Sequence, residues 1–437
     1  MNPGYQNTGT EKFIEAFDAF SIAHRKGNSD LNEMAMGRFK ELGFPTTKHE
    51  EWKYTNVAPI LKNTFSFSSP VFRLTKEDIQ ACLLTGKDSF VVVFENGYLN
   101  KELSVLDGIP QGVIIDSLAA NRNHEQVKKH LGRYAPMKQE SFVALNTAFV
   151  LDGAFIFVPA DTVVEKPIHL LYINDSRAQS TVVYPRNLII AEKSSSVKIA
   201  TSYHTLGSVN AAFTNSVSEI ITGTNANVEF IKIQNENNTT YHISHTEAVQ
   251  ARDSVFNIST ITLGGAIVRN NLHIVLDDVN STAHLYGLYI TDGNQLVDNH
   301  TLVDHAKPNC ESNELYKGVL GGKSQGVFNG KVFVRQDAQK TNAYQSNKNI
   351  LLSDEATMNT KPQLEIFADD VKCSHGATTG QLDAEALFYL RSRGIGENAA
   401  KAFLNIAFAA DVIKNISIEN LRDRLMPLIE SKLQQGN

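Results

Sequence analysis

The stretch SVFNISTITLGGAIVRNNLHIVLDDVNSTAHLYGLYI, residues 254–290, decides the fold. It holds three runs rich in Val, Ile, Leu, Thr and Tyr, broken at Gly264-Gly265 and again at Asp277-Asp278-Val279-Asn280-Ser281. β-Branched and aromatic residues favour strands, and clusters of Gly, Asn and Asp mark turns. Short strands joined by tight turns, with no room for a helix between them, are the reading of this segment.

The same texture extends outward from about Gly153 to His375, through FIFVPA, VVYPRNLIIAE, SVKIATSYH, NVEFIKI, GVFNGKVFVR and QLEIFAD. A sandwich of two antiparallel sheets rarely continues this far unbroken, whereas a coiled parallel solenoid does. Asparagines crowd the turns, at Asn225, Asn227, Asn235, Asn237 and Asn238, where left-handed or side-chain-bonded backbone is needed. No strict short repeat is visible. The expectation is a mainly β protein with a parallel β-helix core over residues 151–376.

Both flanks read differently. Residues 1–150 form a mixed, mostly helical α/β region. Thr10 precedes the helical pattern EKFIEAFDAFSIAHR, and LNEMAMGRFKELG ends on Gly43. In FPTTKHEEWKYTNVAPIL, Thr47 and Glu50 have the spacing of a capping box, with Trp52 as a packing anchor. VVVFENGYL reads as strand, turn and strand, while HEQVKKHLGRY and SFVALNTAF read as helices. Residues 377–437 form a C-terminal helical domain. Asp383 caps AEALFYLRSR, which stops at Gly394. ENAAKAFLNIAFAADVIKNI carries Phe403, Ile406, Ala407, Ala410 and Ile413 on one apolar side. Ser417 opens a third helix that Pro427 is expected to kink or split. Some 55 residues of helix are too few for a large core, so this domain must lean on the β body or on a partner.

The chain has 437 residues, 42% hydrophobic and 20% charged, with a net charge of -6. That suffices for a buried core, and without a basic tract it argues against a nucleic-acid partner. The start of the chain has no basic segment followed by an apolar one, and no stretch is apolar enough for a membrane helix. Three scattered cysteines, Cys82, Cys310 and Cys373, suit a reducing compartment, and a cytoplasmic location is expected.

Few motifs carry chemistry. Gly322-Lys323-Ser324 is the tail of a phosphate-binding loop, but the glycine required five positions earlier is Lys317, so a turn between strands is the reading. His300, His305 and Cys310 fall five residues apart, which is no zinc spacing; polar rungs on a solenoid surface account for them. No nucleophile elbow or HExxH is present. Cys373 and His375, two apart in an extended strand, would share a face, with Cβ atoms roughly 6.5 to 7 Å apart. Thiolate and imidazole suit a soft metal or an iron–sulfur fragment. Two ligands do not close a site, so a partner chain or a bound cluster would supply the rest. The alternative is a buried small residue beside a satisfied polar one.

Three stretches carry a family resemblance: GFPTTKHEEWKYTNV, DNHTLVDHAKPNCESNELYKGVLGGKSQGVFNGKV and DVKCSHGATTGQLDAEALFYLRSRGI. Together they resemble the SufB/SufD family of the SUF iron–sulfur cluster assembly system. The SufD branch is favoured. Where SufB has a Val-Glu-His-Glu-Ala-Thr run this chain has Val371-Lys372-Cys373-Ser374-His375-Gly376-Ala377-Thr378, and Asn347 stands near the place of a functional SufB cysteine.

The resemblance implies a right-handed β-helix between helical ends and a non-catalytic scaffold subunit. It implies pairing with a SufB-like paralogue and a SufC-like ABC ATPase, and a homodimer when isolated. His375 would lie at the paralogue interface beside a transient iron–sulfur cluster, as cofactor-binding and metal-contacting residue, with Cys373 in a less defined role. No cofactor is expected to stay tightly bound to the isolated chain. Leu387, Phe403, Ile406, Ala410 and Ile413 would meet the ATPase. Two other functions stay open: a β-helix enzyme acting on polysaccharide, and a structural member whose Cys373 and His375 are inert.

Overall fold

The computed structural model describes residues 9–23, 30–67, 71–86 and 88–435. Within them lie nine α-helices: α1 Thr10–Ala23, α2 Asp30–Leu42, α3 Ala58–Leu61, α4 Lys76–Cys82, α5 Glu125–His130, α6 Ser141–Phe149, α7 Ala384–Ser392, α8 Glu397–Ile413 and α9 Glu419–Gln435. The expected continuation of the first helix through His24 and Arg25 lies outside the described residues.

Between the two helical groups the chain coils. From Ser196–Leu206 onward, successive strands alternate between two sheets, so that each turn of chain, or rung, lays one strand on each. One sheet runs from Ile114–Ser117 through Thr240–Gln250 and Leu296–His305 to Thr357–Ile366. The other runs from Tyr98–Val105 through Asn227–Asn235 and Glu311–Leu320 to Lys372–Gly380. Rung-to-rung pairing is parallel: Thr282 opposes Glu311, and Glu311 opposes Asn342. The expected parallel β-helix is therefore the fold. Its sheets reach back into the first 150 residues, because Phe90–Glu95 pairs in parallel with Ile168–Asp175. They also run past 376, to Gly380.

Every second side chain points inward. Ala283, Leu285 and Tyr289 face Ile274, Val303 and Phe328 in one continuous apolar core. Large and small residues alternate across rungs: a Cβ at Gly287 would come within 2.2 Å of the Tyr316 ring, so glycine makes the slot that this ring fills. Burial of such rings is the main favourable contribution to folding.

The repeat that the sequence hides is one backbone position per rung. Ser194, Asn225, Asp253, Asn280, Asn309 and Lys340 all adopt positive φ, between 55° and 60° or so, each two residues before a strand of the second sheet. Asn and Asp tolerate this left-handed geometry best. The amide N–H of each of Asn225, Asp253, Asn280, Asn309 and Lys340 donates to a carbonyl of the next rung, as from Asn309 to Gln339 O at 2.9 Å. The next residue is small and buried at every rung: Ser195, Ala226, Ser254, Ser281, Cys310 and Thr341. Each of these two positions is filled by several residue types, so the repeat is not legible in the sequence.

The helical groups dock on outer faces. Phe13, Phe17 and Phe20 of α1, Phe39 of α2 and Phe149 of α6 form a cluster that reaches Phe213, Val217 and Ile243 on the first sheet. At the other end, α8 and α9 lay Ala409, Val412, Ile413, Leu421, Leu425 and Ile429 against Ile231, Ile261, Leu288 and Val319 of the second sheet. The expectation that this small unit leans on the β body holds. Lys317 joins the two: its ammonium donates to Asp411 at 2.7 Å and to the Phe408 carbonyl at 3.1 Å. Glu229 accepts the backbone N–H and the hydroxyl of Ser417.

Four local expectations meet the structure here. Asp383 accepts from the amides of Glu385 and Ala386, as its capping role requires. Pro427 does not split its helix; α9 runs through it from Glu419 to Gln435, with a buried apolar face on both sides of the proline. Ser417 stands two residues before α9, which starts at Glu419, and its hydroxyl donates to Glu229. The Thr47–Glu50 box is also absent: the short turn Glu50–Trp52 starts at His49 without a side-chain cap, and the His49 ring instead accepts the Thr46 amide N–H.

Replacing Asn280 with Val should cost about 1–2 kcal/mol, the penalty of left-handed backbone for a branched residue. Asn280→Gly should lose clearly less. Thermal unfolding of the two variants checks the ranking; equal losses would mean that the Asn280 side chain, and not its φ, matters.

Candidate functional site

Among the described residues, the strand Lys372–Gly380 is the last of its sheet and pairs on one side only, with Asn342–Leu351. Its neighbour in space, Thr357–Ile366, ends the other sheet and contains Pro362. Proline gives no backbone donor and is tolerated at edges. The strand Lys372–Gly380 has no proline, so it leaves the more complete row of free donors and acceptors.

Cys373 and His375 stand on this strand. In register, Cys373 continues the row Ser312, Ala343, and His375 continues the row Glu314, Gln345. All four of those neighbours are buried, so both rows face the interior of the solenoid. His375 is exposed because no described rung follows it. The sequence expectation that the two residues share a face agrees with this register. Their surroundings differ. Cys373 is half-buried against Leu364, Val371 and the cluster of Val332, Val334, Ala338, Ala343 and Ala368. That burial raises its thiol above the ordinary cysteine value, against a backbone hydrogen bond at Ala343 that lowers it. A thiol so placed is a poor nucleophile until something neutralises or replaces its proton.

Behind them the interior turns polar. The Gln345 amide donates to Glu314 Oε2 at 2.8 Å. Burial pushes the Glu314 carboxyl up to about 7, against hydrogen bonding with Thr301 and Gln345 that lowers it. Asn347, buried, donates to the Tyr289 hydroxyl and to the Tyr316 carbonyl, both at 3.3 Å. Among the described residues, no group of three or more His, Cys, Asp or Glu is gathered closely enough to hold a metal ion. Cys373 and His375 place a thiol and an imidazole on a sheet edge that no described strand pairs.

The other histidines and cysteines are placed elsewhere. His300 is partly buried between Asp298 and Glu51. His305 corrects the expectation of surface rungs: it is buried, bonded to the Ser312 hydroxyl at 2.9 Å, and burial brings it down to about 4. Cys310 is likewise interior, filling a rung turn with its sulfur 3.2 Å from the Ser281 hydroxyl. Gly322-Lys323-Ser324 forms the expected turn, with Gly322 at φ 56° and Ser324 bonded to the Gly321 carbonyl.

The stretch around Trp52 is a clasp. The Arg269 guanidinium lies 3.9 Å from the centre of the Trp52 ring and donates to Asp298 and to the Glu51 carbonyl, each at 2.6 Å. Thr55 donates to the same Asp298. Burial opposes ionisation of Asp298, but Arg269 and His300 outweigh it and hold the carboxyl well below its usual range. This segment is thereby pinned to the middle of the first sheet.

The C-terminal helices present a second surface. Phe388 and Tyr389 of α7 and Phe403 of α8 are 74%, 57% and 60% exposed. Leu387, Ile406 and Ala410 are half-buried. Ile413 differs from the expectation of a partner-facing residue: it is buried against the second sheet. Ala407 is exposed. The apolar side of α8 is thus divided, one half packed on the β body and one half open. Sequence reasoning missed Phe388 and Tyr389, which lie in the quoted run AEALFYLRSR, because an apolar residue on a short helix usually packs. It also missed Gln345 and Glu314, for which no sequence signal exists.

Comparison with known proteins adds the following. The SufBD core domain of SUF-system iron–sulfur cluster assembly matches residues 172–408, and the SufBD N-terminal region matches residues 10–170. The chain is 33% identical over 400 residues to the iron–sulfur cluster assembly protein SufD of Escherichia coli, covering 90% of each. It is 28% identical over 432 residues to SufD of Bacillus subtilis, covering 96% of this chain and 98% of that one. A SufBD family protein of Synechocystis is 34% identical over 426 residues, 95% of this chain and 92% of the relative.

Glu314 offers a pH test. Between the ordinary value of 4.5 and about 7 the folded chain keeps a proton that the unfolded chain has lost. Stability therefore falls as pH rises through that window, by roughly 3 kcal/mol at most. Glu314→Gln has no charge to bury and should lose less between pH 5 and pH 8. Thermal unfolding at both pH values checks it; parallel losses in both proteins would mean that Glu314 is ionised in the fold.

Proposed function

The chain belongs to the SufBD family of iron–sulfur cluster assembly proteins, and from that premise we propose that it acts as a non-catalytic scaffold subunit. Residues 1–150, 151–376 and 377–437 serve as anchoring region, β-helix body and ATPase-docking domain. The observation that carries this reading is the unpaired terminal strand Lys372–Gly380 with Cys373 and His375 on its inward row.

An open sheet edge is a ready surface for another chain. A SufB-like paralogue that adds to it covers the inward row and brings further ligands to His375. A nascent cluster, as cargo, is then held between the two chains and not by either alone. Cys373 assists once partner contacts offset its raised thiol pKa. The same edge supports a homodimer of the isolated chain. Phe388, Tyr389 and Phe403 form the exposed apolar patch on which a SufC-like ATPase docks, with Leu387, Ile406 and Ala410 at its margin. Such exposed aromatics are enriched at interfaces. Ile413 supports that surface from beneath.

Anaerobic affinity purification of the tagged chain from its host tests the reading. A SufB-like paralogue and an ABC ATPase should co-purify, and iron or cluster in the complex should fall severalfold or more in His375→Ala. Phe403→Asp should release the ATPase and leave the paralogue bound. A chain that emerges alone, or His375→Ala complexes that load clusters normally, would overturn it.

A further inference from the structure

The row Glu314, Gln345, His375 has one feature that packing does not require. Gln345 is only 3% exposed, its amide nitrogen donates to Glu314, and its carbonyl oxygen Oε1 is buried without a hydrogen-bond partner among the described residues. A buried acceptor left unpaired costs free energy comparable to a lost hydrogen bond. A leucine would fill the same volume without that cost. The amide also sits in a slot it shares with a ring: a Cβ at Gly330, on the facing sheet, would come within 2.5 Å of Gln345 Nε2 and 2.6 Å of the Phe328 ring. Gly330 does not have positive φ, so space rather than backbone conformation accounts for the glycine.

Glu314 determines which end of Gln345 is free. Its Oε2 accepts from the Gln345 amide NH2, which leaves the carbonyl facing elsewhere. The residue in register on the next and last rung is His375. Adjacent strands lie about 4.8 Å apart, and in-register residues of parallel strands point the same way. A histidine that binds metal through one ring nitrogen commonly donates the other N–H to a carbonyl or carboxylate, which holds the ring and its tautomer.

We infer that Gln345, held by Glu314, is a positioning residue for His375: its free carbonyl takes the N–H of the ring nitrogen turned away from the iron. The inference rests on the reading of His375 as an iron or cluster contact. No proton is transferred; the bond selects one tautomer and one ring orientation before cargo arrives. It also accounts for a polar pair inside an otherwise close-packed solenoid.

The test is anaerobic Fe(II) titration of the complex as it purifies, comparing the native protein with His375→Ala, Gln345→Leu and the exchange Glu314→Gln with Gln345→Glu. Gln345→Leu should weaken Fe(II) binding about 10- to 100-fold, the usual effect of removing such a partner. The exchange restores a donor at 314 and an acceptor at 345, and should recover most of the affinity. Native affinity in Gln345→Leu while His375→Ala loses binding overturns the inference and leaves the functional reading standing. Equal losses in Gln345→Leu and the exchange also overturn it, because a packing role would respond that way. Native affinity in His375→Ala overturns both. Should Gln345→Leu fail to fold, Glu314→Gln alone decides: severalfold weakening supports the inference, and native affinity overturns it.

Discussion

A parallel β-helix satisfies its backbone by stacking rung on rung, and everything else in this chain follows from that ladder and from its ends. Each strand between the first and last rungs is paired on both sides in the same register. Among the described residues, the last rung leaves its backbone row open at the far end. One of its two strands is blunted by Pro362 and the other, Lys372–Gly380, is not. A chain that merely needed to be stable would cover such an edge. Here the inward row, hidden in every earlier rung, is half-buried at Cys373 and open at His375.

The ladder also explains why the two helical groups sit where they do. Neither has enough apolar surface for an independent core, so each borrows an outer sheet face. The N-terminal group adds the Trp52–Arg269–Asp298 clasp to its aromatic cluster. The C-terminal group adds Lys317–Asp411 and Glu229–Ser417. Both anchors join a buried charge on the β body to a group on the docked segment. Breaking one partner of such a buried pair leaves an uncompensated charge, which makes the placement specific. The open half of α8 and the aromatic face of α7 are then held at a defined position relative to the body.

Much of this was legible beforehand for particular reasons. Strand runs such as SVFNISTITL and AHLYGLYI are fully determined by residue type, and the absence of helical spacing between them left a solenoid as the natural continuation. Asp383 and Gly394 bracket α7 through local chemistry that needs no tertiary context. Pro427 does not split α9, whose packing continues on both sides of it, and Ser417 serves buried Glu229. His305 and Cys310 looked like surface rungs because spacing along the chain does not say which face is inside.

By itself, the sequence determined the strand-rich core, its helical flanks and the Cys373–His375 pair on one face, since these depend on short-range residue type and on the two-residue period of a strand. Only the tertiary structure decided that this pair falls on the terminal rung, that its row continues inward to Gln345 and Glu314, and that Ile413 is packed while Phe403 is free. Those facts depend on register between strands some thirty residues apart. Register is set by turn geometry and by which side chains fit against the rung below, and neither is written in any one stretch of the chain.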